Sequence, residues 1–196
     1  MRNFNIQASQ AATYAILDFY KTKLSDQFKT DLQTQKLSIL NGSYILRKEL
    51  EPSKGSQDLV DSNTKKITGV SDFTDKVIQP GEVFICEKIR IGYDTHADSD
   101  MEIALSYEKK IPASFRSATF RVRQDGKVIF ERSIADLMNR YAGHSLKDDY
   151  VELDIPFALI GTSKNELEIE FPKGAAAHAT LKEYLELSLV GQKVSS

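Results

Sequence analysis

The chain has 196 residues, 41% of them hydrophobic and 28% charged, which is enough apolar material for one substantial core and too much for a disordered chain. Its 26 basic and 28 acidic residues leave a formal net charge of −2, which excludes steering onto nucleic acid or anionic lipid by an overall field. The single cysteine, Cys86, excludes an internal disulfide, and no segment approaches the ~18 apolar residues of a membrane span.

The first residues lack the continuous apolar stretch of an export signal, so the chain is expected to be made and kept soluble. From residue 8 to 32 apolar side chains recur three or four apart without Gly or Pro, which predicts one amphipathic helix with Ser9 as its cap. Such a helix either closes its own domain or meets a neighbour. The stripe Ile16, Tyr20, Leu24 and Phe28 is the candidate subunit contact. Asn41-Gly42 between two apolar pieces predicts a hairpin within residues 37–50, and the polar, Pro- and Gly-containing segment 51–66 predicts an exposed linker.

Short strands follow. A short strand is expected at 67–73 and a long one at 83–93, with Val83, Ile85, Ile89, Ile91 and Tyr93 on one face and Glu87 interrupting the stripe at a rim, a bulge or a basic partner. Period-2 alternation at Met101, Ile103, Leu105 and Tyr107 predicts another strand. The segment 120–130 predicts a hairpin around Gln124-Asp125-Gly126. A three-residue loop sets Val122 against Val128 and Phe120 against Phe130, whereas a two-residue loop mixes apolar and charged residues on both faces. Arg121 and Arg123 then point outward, and a solvated face is the expectation for them rather than a phosphate-binding row.

A short helix over 134–141 is expected, capped by Ser133 and ended by Gly143, and strands over 150–155, 166–171 and 184–190 close the chain, with Pro156 and Gly161 at joints. The plan is an N-terminal helical arm over 1–35, a hairpin and exposed linker over 36–66, and a mainly β, antiparallel, eight-stranded jelly-roll β-sandwich over 67–196.

Asp94, His96, Asp98 and Asp100 alternate through a loop, and oxygen-rich loops of that kind can hold calcium. The turn glycine and distal Glu of a calcium-binding helix-loop-helix are missing, so a solvated acidic loop is expected and no metal is assigned; Asp94, Asp98 and Asp100 stay as the only candidates. His96, His144 and His178 lack zinc spacing, and neither a nucleophile elbow nor a phosphate-binding glycine loop is present. No catalytic residue and no cofactor is expected, and the chain is not read as an enzyme.

Three stretches carry a resemblance of plan: Gln79-Pro80-Gly81-Glu82-Val83-Phe84-Ile85, the turn at Asp125-Gly126, and the run from Leu153-Asp154-Ile155-Pro156 through Leu167-Glu168-Ile169-Glu170-Phe171-Pro172-Lys173-Gly174. Together with the strand count and the helical arm, the chain resembles jelly-roll capsid proteins of tailless bacterial viruses. That resemblance implies a structural virion protein, a capsid or vertex (penton or minor capsid) component. It would assemble in the host cytoplasm with itself and other capsid subunits, without a cofactor or specific nucleic-acid binding. The alternative is a non-catalytic binding module for carbohydrate or a cell-surface ligand, with Tyr93, Tyr107 and Tyr184 as its stacking platform.

Overall fold

The computed structural model describes residues 2–138 and 150–196. Eight strands run in chain order: β1 Ser38–Leu50, β2 Ser56–Asp58, β3 Glu82–His96, β4 Thr119–Gln124, β5 Lys127–Ser133, β6 Val151–Ile160, β7 Asn165–Glu170 and β8 Lys182–Ser195. They form two four-stranded sheets, ordered β1-β8-β3-β6 and β2-β7-β4-β5, with every ladder antiparallel. The pairing is nested, first strand with last, second with seventh, third with sixth and fourth with fifth. Phe84, Ile89, Leu187 and Leu189 of the first sheet share one core with Phe120, Val122, Leu167 and Ile169 of the second. Leu153, Ile169 and Leu187 lie on strands in that core, as the period-2 pattern predicts.

The long strand β3 departs from the single stripe expected of it. Cys86 pairs with Gly191 and Lys88 with Val190, so Glu87 is an extra residue that shifts the register. A one-residue bulge exchanges the faces of everything beyond it. Val83 and Ile85 therefore lie in a second core on the outer side of the first sheet, while Phe84, Cys86, Ile89, Ile91 and Tyr93 fill the core between the sheets. The interrupting carboxylate sits at the bulge and accepts a bond from Gln192 Nε2 at 2.8 Å.

The second core is roofed by the N-terminal segment, which is not one helix. Helix α1 spans Arg2–Phe19, a 3₁₀ turn spans Lys21–Lys23, and α2 spans Asp26–Gln33. Ser9 lies inside α1; the capping residue is Ser25, whose Oγ accepts the Phe28 N–H at 3.2 Å. A serine that can satisfy an orphan N–H starts a new helix where apolar spacing alone suggests continuity. Leu17, Leu24, Phe28 and Leu32 are buried against Val83, Ile85, Ala158, Ile160 and Val194. Each such burial contributes about 1.5–3 kcal/mol, so packing rather than helix propensity holds the arm down. Ser25→Ala is expected to cost about 1 kcal/mol of global stability, read from urea unfolding followed by circular dichroism.

Several connections differ from expectation. Asn41-Gly42 does not turn: β1 passes through it, with Gly42 opposite Gly191, because the alternation on either side finds a full-length partner in β8. The segment 51–66 is not a bare linker. It holds a 3₁₀ turn at Pro52–Lys54, strand β2, and buried Leu59 and Val60. Residues 67–73 form isolated bridges beside β1 rather than a strand. In 101–107 the Ser106 and Tyr107 N–H groups bond to the Asp94 carboxylate instead of a strand, and Ile103 is left 67% exposed. Among the described residues the strands number eight, with a different membership, β1 and β2 replacing the stretches at 67–73 and 101–107.

At the β4–β5 hairpin Asp125 and Gly126 both have positive φ, 52° and 79°, which makes a two-residue turn. Arg123 faces Val128, but a register shift then places Val122 opposite Phe130, so a bulge rather than a longer loop returns the apolar residues to the core. Where the short helix is predicted, the described residues form a 3₁₀ turn, Ile134–Asp136, with Ser133 Oγ accepting the Ala135 N–H at 3.1 Å; residues 139–141 and Gly143 lie outside the described residues. Pro156 does not end its strand. β6 runs on to Ile160 after residues 153–156 loop away opposite Glu87, leaving Ile155 80% exposed, which an edge strand tolerates.

The turn after β2 is tied by Asp61, whose carboxylate accepts from Lys48 Nζ at 2.8 Å, the Asn63 N–H at 2.9 Å and Thr64 Oγ1 at 3.1 Å. The Lys48 bond pulls this carboxyl down to about 2, against a smaller opposing push from burial. A carboxyl whose folded pKa is depressed adds stability above its unfolded value, and that stability is lost as pH falls toward the folded one. Asp61→Asn is therefore expected to flatten the loss of stability between pH 4 and pH 2 in acid titrations of the unfolding midpoint.

Candidate functional site

A groove of about 380 Å³ opens at the end of the first sheet where β1 finishes and β8 begins. It is built where the end of β1 (Glu49, Leu50), the following Glu51 and Ser53, the start of β8 and the turn 177–181 converge, with Ala97 of the acidic loop on its wall. Lys182 pairs with Glu49 at 2.9 Å, and that carboxylate holds the ammonium pKa above its ordinary value. Glu183 is buried and accepts the Tyr93 hydroxyl at 2.6 Å and the His178 N–H at 3.0 Å. Burial, and then the Glu183 carboxylate, push the Tyr93 phenol well up, so it stays a proton donor. His178 Nδ1 accepts the Thr180 and Leu181 N–H groups at 3.3 and 3.1 Å, which closes the turn and leaves Nε2 as the protonated nitrogen. The carboxylates outnumber the lysine, so the groove suits a hydrogen-bond-donating or cationic group.

The acidic loop beside it does not converge on a cation. Asp94 is buried, and its two oxygens accept from the N–H groups of Thr95 (2.7 Å), Ser106 (3.2 Å) and Tyr107 (3.1 Å) and from Lys109 Nζ (2.8 Å). Burial raises this carboxyl, but the Lys109 and N–H bonds outweigh it and hold the pKa below the usual carboxylate value. Asp98 and Asp100 are exposed, and among the described residues no three potential ligand side chains gather as a metal set. Asp94 anchors the loop through these bonds.

Of the two places open to the helical stripe, it takes the one on its own domain. Leu24 and Phe28 are buried in the chain's own second core, with Ile16 and Tyr20 packed partly buried on it. The buried part of that face, Leu24 and Phe28, lies on the outer side of β3, β6 and β8.

Arg121 and Arg123 point outward from β4, as expected, into a carboxylate ladder. Arg121 bonds Glu131 and Glu170, the latter at 2.9 Å, and Arg123 reaches Glu168 at 3.3 Å. Arg132 pairs with Asp154 at 3.0 Å. Cys86 is buried, and burial pushes its thiol far above the ordinary range. The three tyrosines of the sugar-stacking alternative are buried, their hydroxyls donating to Glu183 (2.6 Å), the Glu102 carbonyl (2.8 Å) and the Asp98 carbonyl (2.8 Å). None of them offers a face to a sugar ring.

No protein-family model matches this chain, and no curated protein or solved structure matches it. Among the described residues no helix is long and apolar enough to cross a membrane. Sequence reasoning missed the groove because Glu49, His178 and Glu183 are ordinary polar residues of separate segments. Only the β1–β8 pairing brings them together, and no local motif marks them.

Proposed function

We propose that this chain is a structural virion protein, a jelly-roll capsid or vertex subunit that assembles with copies of itself in the host cytoplasm and needs no cofactor. The observation that carries the reading is the nested strand order, β1-β8-β3-β6 facing β2-β7-β4-β5. An eight-stranded hairpin rolled on itself has that order, and it leaves a rigid wedge with loops at both ends. The outer face of the second sheet carries the Arg121–Glu131–Glu168–Glu170 ladder, whose polar character suits repeated contacts that are each weak and reversible. Symmetric contacts of about 800 Å² per partner close a shell without any one strong contact. The polar groove at the Glu49–Glu183 end favours a second reading, a module that binds a polar ligand, in which carbohydrate recognition would run through hydrogen bonds rather than aromatic stacking.

Size-exclusion chromatography with light scattering, run beside a glycan array, separates the two. A large symmetric oligomer silent on the array is the expected outcome. A monomer at high concentration that binds defined glycans overturns the capsid reading.

A further inference from the structure

Four strands end the two sheets: β1 and β6 in the first, β2 and β5 in the second. An edge strand presents unpaired N–H and C=O groups that template another strand unless something guards it. Three of these edges are guarded. β2 is only three residues long, β6 carries the irregular 153–156 segment with Pro156, and β5 carries Lys127, Glu131 and Arg132. The second half of β1 is covered as well: the Arg47 N–H donates to the Val70 carbonyl at 2.7 Å, the Ile45 N–H to the Asp72 carboxylate at 2.9 Å, and the Asp72 N–H to the Ile45 carbonyl at 2.9 Å.

Those bonds also fix the direction of the rest. Odd-numbered residues of β1 turn their backbone groups away from β8, and the β1–β8 register is unbroken from Ser38 to Leu50. Ile39, Asn41 and Ser43 therefore aim their N–H and C=O groups out of the sheet, and among the described residues no other backbone meets them. The stretch Ser38-Ile39-Leu40-Asn41-Gly42-Ser43 holds no charge, no proline and no bulge, and Leu40 is 63% exposed.

We propose that residues 38–43 of β1 join two copies of this chain, pairing antiparallel about a twofold axis at Leu40 so that the first sheets of both copies run on as one. An antiparallel edge is its own complement under a twofold, which makes a second copy the occupant that needs no further recognition element. With Leu40 on the axis, the two leucines form a non-hydrogen-bonded pair with Cα atoms about 4.5 Å apart, and Ile39 and Asn41 exchange N–H···O=C bonds across it. The pairing stands by itself; its place in a shell rests on the assembly reading.

The test uses the full chain with Leu40→Cys. Native Cys86 is buried, so the introduced thiol is the reactive one. Mild oxidation is expected to give a disulfide-linked dimer under conditions where Val128→Cys, on the guarded β5 edge, stays uncrosslinked. Asn41→Pro removes an outward N–H and leaves the β8 ladder intact; added to Leu40→Cys it is expected to lower cross-linking at least tenfold with an unchanged circular dichroism spectrum. Should that variant misfold, Ser43→Lys is expected to produce the same loss by placing a charge on the edge. Absence of cross-linking, or cross-linking equal to that of Val128→Cys, overturns the proposal. So does a chain that sediments as a monomer and binds a synthetic extended peptide at this edge. Shells that form without the cross-link overturn the edge pairing alone, and cross-linked dimers that never grow larger overturn the assembly reading alone.

Discussion

Gly191→Ala is expected to be the most damaging single-methyl change in this chain, costing about 3 kcal/mol or more. A Cβ built at Gly191 lies 1.9 Å from the Ile85 carbonyl oxygen and 3.1 Å from the Glu87 backbone nitrogen. The Glu87 bulge carries the β3 backbone across β8 at this point, and backbone cannot step aside as a side chain does. Relief requires opening the bulge, which would exchange the faces of β3 and take Val83 and Ile85 out from under the helices. Gly42→Ala, directly opposite on β1, is the matched control: the nearest atoms its Cβ would meet are Lys193 side-chain carbons at 2.7 to 2.9 Å, which can swing aside as backbone cannot, and the expected cost is smaller, about 1 kcal/mol. Urea unfolding of the two variants side by side reads the difference.

The second large effect is expected at Glu186. This carboxylate is buried on the outer face of β8 and held by Arg47 Nη2 at 2.6 Å and Arg90 Nη1 at 2.5 Å. Arg47 is further fixed by the Gly69 carbonyl at 2.9 Å and lies over the Tyr107 ring at 4.9 Å. Truncation at Glu186 removes the anion that both guanidiniums share while neither can retreat far, so Glu186→Ala is expected to cost about 3–5 kcal/mol. Glu186→Gln keeps the shape and two acceptor lone pairs and is expected to cost less, which thermal unfolding of the pair would show.

The strands that alternate cleanly were legible in the residues. β7 reads Leu167, Ile169 inward against Glu166, Glu168 outward, and β8 reads Leu185, Leu187, Leu189; both follow period 2 because a continuous ladder leaves no room for anything else. Bulges were not legible in the same way. At Glu87 a polar residue in an apolar run signals an irregularity, but which face each half takes depends on the partner strands, and the hairpin at Asp125-Gly126 hid its bulge at the Val128 side for the same reason. The break before α2 was written in Ser25, masked by an apolar spacing that continues through it. Asn41-Gly42 carried a turn signal that thirteen residues of pairing with β8 override. Of the candidate site, the acidic loop was visible, yet the role of Asp94 was set by N–H groups from Ser106 and Tyr107, which only the folded loop brings to it.

Self-assembly is the claim on which the proposed function stands, and electron microscopy of the concentrated chain tests it most directly. Closed shells or rings of uniform diameter are predicted. A field of separate 22.0 kDa particles at every concentration and ionic strength would contradict it.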